Sequence, residues 1–324
     1  MTTGDGALAV IELADVPRTP EVHPTTGDRV FRAMCVAAAS LSLLIVGGTL
    51  VFLIDKSRPA FAKTGIMNFF TQSVWNPGLG HFGVRGLLEG TLIIATTAMI
   101  LAVPLGVAMA LFINEYAPTV IRGPLTSMID LLAALPSLLF GMWGLFALQN
   151  HLVPVARFLG THLAVLPFFK TGDGATLFGS SFIAGFVVSI MITPIITSVT
   201  RDVMAQAPRE QCEGALALGG TRWGMIRTVL LPFSRSGIVG ASLLGFGRAL
   251  GETIAVALIL SPQIAVNTHV LQTGGSSVAP YIAIHFGEAT PLEQSGLVAA
   301  GLALFLLTFA INLGARAIVR KPAQ

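Results

Sequence analysis

A polar, basic stretch in the second half of the chain determines how the rest of the sequence is interpreted. The stretch is Arg209-Glu-Gln-Cys-Glu213-Gly-Ala-Leu-Ala-Leu-Gly219, followed by nine residues and then by Val229-Leu-Leu231-Pro232. Long apolar segments lie before and after it. The sequence therefore predicts a water-exposed loop between membrane-spanning helices, and we assign this loop to residues 201–236.

The residues of this loop favour two short helices that meet at an angle. Pro208 suits the first turn of a helix, where its missing N–H costs nothing. Gly219 supplies a stop, because glycine adopts the left-handed conformation cheaply. Thr221 is a suitable N-cap for a second helix. That second helix is predicted to end or kink at Pro232, because proline removes a helical hydrogen bond.

The composition indicates a membrane protein. Of the 324 residues 53% are hydrophobic and only 11% are charged, whereas a soluble domain has roughly 25% charged residues. The apolar residues form blocks that are long enough for a membrane-spanning helix, which needs about 20 residues. We therefore predict an all-α polytopic membrane protein with about six transmembrane helices. The predicted spans are residues 32–54, 87–113, 124–149, 176–200, 237–261 and 294–318.

The chain is predicted to form one membrane domain, residues 32–318, with a short tail at each end. Residues 1–31 lack apolar periodicity and are expected to be a disordered cytosolic tail, and residues 319–324 form the second tail. If the N-terminus is inside, the inner segments hold twelve Lys and Arg residues and the outer segments six. The positive-inside rule then places both termini in the cytoplasm. The same rule explains the net charge of +3, so no nucleic acid partner is predicted.

Two ionisable residues lie inside the fifth predicted span. Arg248 is 11 residues beyond Gly237, roughly 16 Å along a helix and so near the bilayer middle. Glu252 is expected one helical turn further on the same face. An ionised side chain at this depth costs about 3 kcal/mol or more, so both should face protein or water. Gly247 and Gly251 form a small-xxx-small pair that favours close helix packing.

Two interpretations of this pair remain open. In the first, Arg248 offers planar donors to an oxyanion in a transport pathway, and Glu252 holds Arg248 when no substrate is present. In the second, the two residues form a buried ion pair that only fixes the packing between spans.

The sequence contains no signs of an enzyme active site. No Gly-x4-Gly-Lys-Ser/Thr run occurs for nucleotide phosphates. The six histidines are scattered without metal-ligand spacing, and no nucleophile motif is present. We therefore predict no catalytic residue, no metal site and no cofactor bound by this chain.

The polar stretch resembles the EAA loop of ABC importer permeases, which is Glu-Ala-Ala, three residues, Gly, nine residues, then Ile-x-Leu-Pro. Gly214 occupies the position of the first Ala, and Val229 occupies the position of the Ile. The resemblance implies that the loop docks on a partner ATPase and couples ATP hydrolysis to the spans. The implied coupling residues are Glu213, Gly214, Ala215, Gly219, Leu231 and Pro232.

Other stretches resemble phosphate-specific ABC importer permeases, and most closely their C-type subunit. They are Trp75-Asn-Pro with Phe82-Gly83 and Gly90-Thr-Leu92, Ala102-Val-Pro-Leu-Gly106 with Ala110-Leu-Phe-Ile-Asn-Glu115, Leu135-Pro-Ser-Leu-Leu-Phe-Gly141-Met-Trp-Gly144, and Gly245-Phe-Gly-Arg-Ala-Leu-Gly-Glu-Thr253. The resemblance implies a type I ABC importer permease fold in the bacterial plasma membrane. The family's membrane Arg and Glu, implicated in phosphate passage, fall on Arg248 and Glu252.

The resemblance also implies partners. These are a homologous A-type permease, two copies of an ATP-binding subunit that holds ATP and Mg, and an extracytoplasmic phosphate-binding protein. Three alternatives stay open: a permease for another oxyanion such as sulfate or molybdate, a secondary transporter or channel, and a homodimer in place of the two-permease pair.

Overall fold

The computed structural model describes residues 25–172, 174–260, 264 and 266–319. The predicted tails 1–31 and 319–324 therefore lie mostly outside the described residues. Their inner edges are helical, because α1 begins at Thr26, six residues before the predicted first span. Thr25 and Asp28 form a capping box there: the Asp28 carboxylate accepts from Thr25 N at 2.8 Å, and Thr25 Oγ1 accepts from Asp28 N at 3.3 Å.

The described part of the chain is mainly helical, as the sequence predicts. Its helices are α1 Thr26–Thr64, α2 Ile66–Thr71, α3 Arg85–Leu111, α4 Thr119–Ala134, α5 Ser137–Trp143, α6 Gln149–His162, α7 Ser181–Met204, α8 Arg209–Ala217, α9 Arg222–Met225, α10 Leu231–Leu250, α11 Ile254–Ile259, α12 Val278–His285 and α13 Pro291–Val319. Two short antiparallel strands, β1 Trp75–Asn76 and β2 His81–Phe82, pair with each other.

Three π-helical turns occur in the described chain. Gly144–Leu148 and Ile226–Leu230 each join two α-helices without a break, whereas Phe112–Tyr116 continues α3 and ends at the extended residue Ala117. With these turns included, six helical stretches of the described chain are long and apolar enough to cross a membrane. They are Thr26–Thr64, Arg85–Tyr116, Ser137–His162, Ser181–Met204, Arg222–Leu250 and Pro291–Ala315. The predicted number of about six transmembrane helices is confirmed.

The chain divides into two compact units, one ending at Val51 and the other beginning at Phe52. In the first unit every described side chain up to residue 49 is exposed. These side chains are mostly apolar, and an apolar helix surface of this kind suits contact with lipid or another membrane subunit rather than water.

The third predicted span, residues 124–149, is wrong in its placement. The chain leaves the helical conformation at Leu135, where φ is −64° and ψ is 138°. Pro136 explains this break, because a proline ring disfavours the α conformation of the residue before it. The helix before the break, α4, is separate, and the membrane-length stretch begins only at Ser137 and continues to His162.

The main core of the second unit forms around α7, which packs along α3, α10 and α4. Glycines allow the helix backbones to approach closely at these contacts. A Cβ added at Gly185 of α7 would lie 2.8 Å from the side chain of Thr97 in α3. A Cβ added at Gly245 of α10 would lie 2.8 Å from the side chain of Ile196 in α7. The packing of these three helices therefore positions α10, which carries Arg248.

The fifth predicted span, 237–261, also differs from the structure. A continuous helix runs from Arg222 through Ile226–Leu230 to Leu250, and α11 is a separate short helix that follows. Gly237 therefore marks no helix boundary, so the predicted depth of Arg248 in the bilayer, measured from Gly237, remains a prediction.

Candidate functional site

The short helix α8 carries the first half of the EAA-like sequence and presents most of its surface to solvent. None of its residues is buried. Glu213 and Gly214 are exposed, and a Cβ added at Gly214 would meet no atom within 4 Å. Leu218, the residue after α8, is 92% exposed. The helix α8 therefore offers a largely solvent-facing surface.

The turn after α8 follows the predicted chemistry. Gly219 has φ of +84°, in the left-handed region that glycine tolerates best. Gly219 N donates to Leu216 O at 3.0 Å, and Gly220 N donates to Ala215 O at 3.2 Å. Thr221 caps the next helix, because its Oγ1 accepts from Gly224 N at 3.1 Å. The prediction of a helix, a glycine stop and a threonine cap is confirmed.

The second helix, which was predicted to end or kink at Pro232, does not end there. The helix continues from Arg222 through Pro232 to Leu250. A π turn at Ile226–Leu230 stands directly before Leu231 and Pro232. Proline lacks the N–H that would pair one turn earlier, and a π turn is one way in which a helix absorbs such a defect. The second half of the EAA-like sequence is therefore the beginning of a long helix rather than a separate piece.

A small apolar core lies beneath α8 and joins the loop to the spans. We call it the coupling core, and its buried members are Ala110, Met204, Met225, Ile226 and Leu230. Cys212 and Ala215 of α8 pack against it. These members come from α3, α7 and the helix that begins at α9, so the coupling core connects the EAA-like loop to three helices at once.

Cys212 is held as a thiol by this environment. Partial burial raises the pKa of the Cys212 thiol, and the nearby carboxylates of Glu115 and Glu213 raise that pKa further. The side chain therefore behaves as a small apolar group that faces the coupling core.

Arg248 lies on the wall of a large cavity. The cavity has a volume of about 1350 Å³ and lies between α7, α10 and α13. On α10, Ala241, Gly245 and Ala249 are buried, whereas Leu244 and Arg248 line the cavity. Residues four apart share one helix face, so the two sets form neighbouring stripes. Arg248 is the one charged side chain among the described lining residues, and Asn312 supplies a polar group opposite.

Glu252 does not extend the helix face of Arg248, in contrast to the expectation from spacing. The helix α10 ends at Leu250, between the two residues. Glu252 is 8% exposed, and its Oε1 accepts a hydrogen bond from Ala255 N at 3.3 Å, near the start of α11. Among the described residues no Lys or Arg nitrogen lies within 4.0 Å of the Glu252 carboxylate. The predicted Arg248–Glu252 ion pair is therefore absent from this conformation.

Among the described residues, Gly247 and Gly251 make no close helix contact of the kind predicted for them. A Cβ added at Gly247 would meet nothing within 4 Å, and one at Gly251 would meet only backbone oxygens at 3.7 Å and beyond. Gly247 lines the cavity beside Arg248. Gly245, one helix stripe away, makes the close contact instead.

Sequence reasoning missed a group of polar residues around the coupling core. Asn114, Arg122 and Arg222 reach across between α3, α4, α7 and α9, with contacts to backbone carbonyls. Two signals were present: an Asn-Glu pair at the end of an apolar span, and an arginine directly after a helix cap. Neither signal specifies a partner, because the acceptors are backbone atoms distant in sequence.

The described chain thus combines six membrane-length helical stretches, an exposed short helix over a coupling core, and an open cavity whose described lining carries one cation. Residues 102–324 match the family described as binding-protein-dependent transport system inner membrane component. The chain therefore belongs to this family of transport permeases, which is not an enzyme family.

Two relatives and one solved structure are similar to most of the chain. The chain is 43% identical over 297 residues to phosphate transport system permease protein PstC 2 of Mycobacterium tuberculosis, covering 90% of this chain and 91% of that protein. It is 35% identical over 310 residues to PstC of Xylella fastidiosa, covering 95% of each. A chain from the crystal structure of a bacterial ABC transporter for import of the acidic polysaccharide alginate shares the fold, with a TM-score of 0.59 and 17% identity, covering 92% of this chain and 97% of that one.

Proposed function

We propose that this chain is the C-type permease of an ATP-driven phosphate importer and forms half of its translocation pathway. The observation that carries the proposal is the position of Arg248, the one charge among the described residues of an open cavity of about 1350 Å³. A guanidinium is planar, permanently charged and able to donate two parallel hydrogen bonds to a tetrahedral oxyanion. Similarity to the PstC proteins supports phosphate as that oxyanion.

Glu252 belongs to the same pathway, as a carboxylate that regulates Arg248 without contacting it in this conformation. Glu252 stands at the break between α10 and α11. A change in this break would alter the distance between the two charges. In this assignment the ion pair expected from the sequence belongs to a different state of the transport cycle.

As such a permease, the chain works with three kinds of partner protein. The exposed surface of α8 receives one ATP-binding subunit, which holds ATP and Mg. A homologous A-type permease completes the cavity and binds a second copy of the ATP-binding subunit. An extracytoplasmic phosphate-binding protein delivers the substrate from outside, and both termini lie in the cytoplasm. A second copy of this chain is the alternative to the A-type permease.

Radiolabelled phosphate uptake at low external phosphate tests the cargo. Cells that lack this chain are complemented with the wild-type gene, and sulfate and molybdate are added as competitors. We expect the wild-type chain to restore uptake, and neither competitor to reduce it. Strong competition by sulfate or molybdate would assign the permease to another oxyanion. Membership of the transport permease family already argues against a secondary transporter.

A further inference from the structure

The π turn Phe112–Tyr116 at the end of α3 is a meeting point for four helices. It lies beside the coupling core, to which α3 contributes Ala110. The last carbonyl groups of a helix have no partner within it. In this chain two such carbonyls accept hydrogen bonds from arginines on other helices, and one side chain of the turn donates to a third helix.

Arg222 connects the π turn to the EAA-like loop. Its Nη1 donates to Glu115 O at 2.9 Å, and its guanidinium carbon lies 5.7 Å from the centre of the Tyr116 ring. Arg222 is the first residue of α9, directly after the capping Thr221. A cation over an aromatic face adds attraction to the hydrogen bond. Two contacts of one side chain therefore join the EAA-like loop to the end of α3.

Arg122 and Asn114 extend the connection to two further helices. Arg122 of α4 donates from Nη2 to Asn114 O at 2.8 Å. Asn114 Nδ2 donates to Arg201 O at 2.9 Å, in the last turn of α7. That carbonyl already accepts from Ala205 N at 2.9 Å. The turn therefore holds the starts or ends of α3, α4, α7 and α9 together by backbone carbonyls, whose positions move only with their helices.

The surroundings of these contacts suit a joint that moves. A second π turn, Ile226–Leu230, lies in the same coupling core, and π turns occur often at functional sites. Two methionines, Met204 and Met225, fill the core between the turns, and methionine adapts to changes of packing more easily than branched residues do. The methionines allow the packing of the coupling core to change, while the hydrogen bonds of the π turn keep the helices connected. This combination allows the helices to shift without separating.

We propose that the π turn Phe112–Tyr116 is where motion of the coupling loop enters α3, α4 and α7, with Arg222 and Asn114 as its positioning residues. This inference rests on the proposed function, because it assumes that an ATPase drives the loop. It goes beyond that function by assigning the transmission to specific contacts away from both the ATPase surface and the cavity.

The test uses the whole importer, purified with its partner subunits and reconstituted in liposomes with its binding protein. ATP hydrolysis and phosphate uptake are measured together for wild type, Arg222→Ala, Tyr116→Leu and the double variant. We expect Arg222→Ala to assemble and to keep basal ATP hydrolysis, but to lose stimulation by the binding protein and to move at least roughly fivefold less phosphate per ATP, in the range of ordinary coupling energies. Arg32→Ala, which removes an exposed arginine with no described side-chain partner, is the charge control and should keep the wild-type ratio.

The double variant distinguishes loss of the Arg222–Tyr116 contact from a general loss of stability. If Arg222 and Tyr116 act as one contact, the double variant should be no worse than Arg222→Ala alone. Additive losses, or an unchanged ratio of phosphate to ATP in Arg222→Ala, would overturn the proposal. Stimulation of ATP hydrolysis by the binding protein gives a readout that does not depend on phosphate uptake. A wild-type complex with stimulated hydrolysis but no phosphate uptake would count against the proposed cargo, whereas retained stimulation in Arg222→Ala would count against the joint.

Discussion

Arg248 shows how α10 places one charged side chain on the wall of an otherwise mostly apolar cavity. Its stripe on α10 faces the cavity, while the stripe of Ala241, Gly245 and Ala249 is buried, with Gly245 against Ile196 of α7. The small buried residues bring α10 close to its neighbour and leave the longer side chains on the open face. The cost of a charge among membrane helices is reduced when it faces a water-filled space.

Two substitutions of Arg248 should distinguish the effect of its charge on phosphate uptake from the effect of its planar guanidinium. We expect Arg248→Ala to lower phosphate uptake by roughly tenfold or more, because a hydrogen bond to a charged group contributes about 1.5–3 kcal/mol. Arg248→Lys keeps the charge but loses the planar fork, so its uptake should fall between those of Arg248→Ala and wild type. Arg157→Ala, at an exposed arginine away from the cavity, should transport normally. Normal uptake by a correctly inserted Arg248→Ala would show that this residue does not contact substrate.

The helix α8 and its turn behave as one element because the backbone of the turn is specified at Gly219. The left-handed conformation there lets Gly219 and Gly220 return two hydrogen bonds to α8, and Thr221 then starts the next helix. The angle between the two helices depends on this turn. The angle in turn determines how α8 presents its exposed surface above the coupling core.

Substitution at Gly219 should therefore disturb coupling more than insertion into the membrane. We expect Gly219→Val to insert normally and to lose stimulation of the ATPase, because a residue with a Cβ pays about 1–2 kcal/mol in the left-handed region and a β-branched residue fits it poorly. Gly219→Asn is the conformational control, since asparagine tolerates this region best after glycine. Full stimulation of ATP hydrolysis in Gly219→Val would mean that the turn does not set the coupling geometry.

The second compact unit is organised around α7, and its stability depends on close approach to α3 and α10. Gly185 contacts both the side chain of Thr97 and the backbone oxygen of Ile94, which a new Cβ would meet at 2.8 Å and 3.1 Å. A backbone oxygen cannot move aside as a flexible side chain does. The cavity and the coupling core both include α7 residues, so loosening this contact affects both.

A larger residue at Gly185 should thus destabilise the folded permease. We expect Gly185→Leu to cost about 1–3 kcal/mol through overpacking, seen as a lower midpoint of thermal unfolding in detergent. Gly123→Leu is the matched control, because a Cβ at Gly123 of α4 would meet no atom within 4 Å. Equal midpoints for the two variants would show that α3 and α7 can separate at no cost.

The sequence alone determined the features that depend on local chemistry and on composition. Apolar blocks specified six membrane-length helices, and Gly219 with Thr221 specified the turn of the EAA-like loop, because backbone preference and capping act over a few residues. The order of residues from Glu213 to Pro232 was sufficient to identify the kind of transport protein.

Only the tertiary structure decided where helices break and which distant residues meet. Periodicity did not show that α10 ends between Arg248 and Glu252, because apolar residues continue on both sides of the break and Gly251 was interpreted as a packing residue rather than as a helix end. Nor did it show that Pro232 is accommodated inside a helix by a π turn. The joint between Arg222, Asn114 and the end of α3 depends on backbone carbonyls, which every residue possesses. Any residue type can accept such a hydrogen bond, so the sequence does not indicate the acceptor and only the folded structure reveals it.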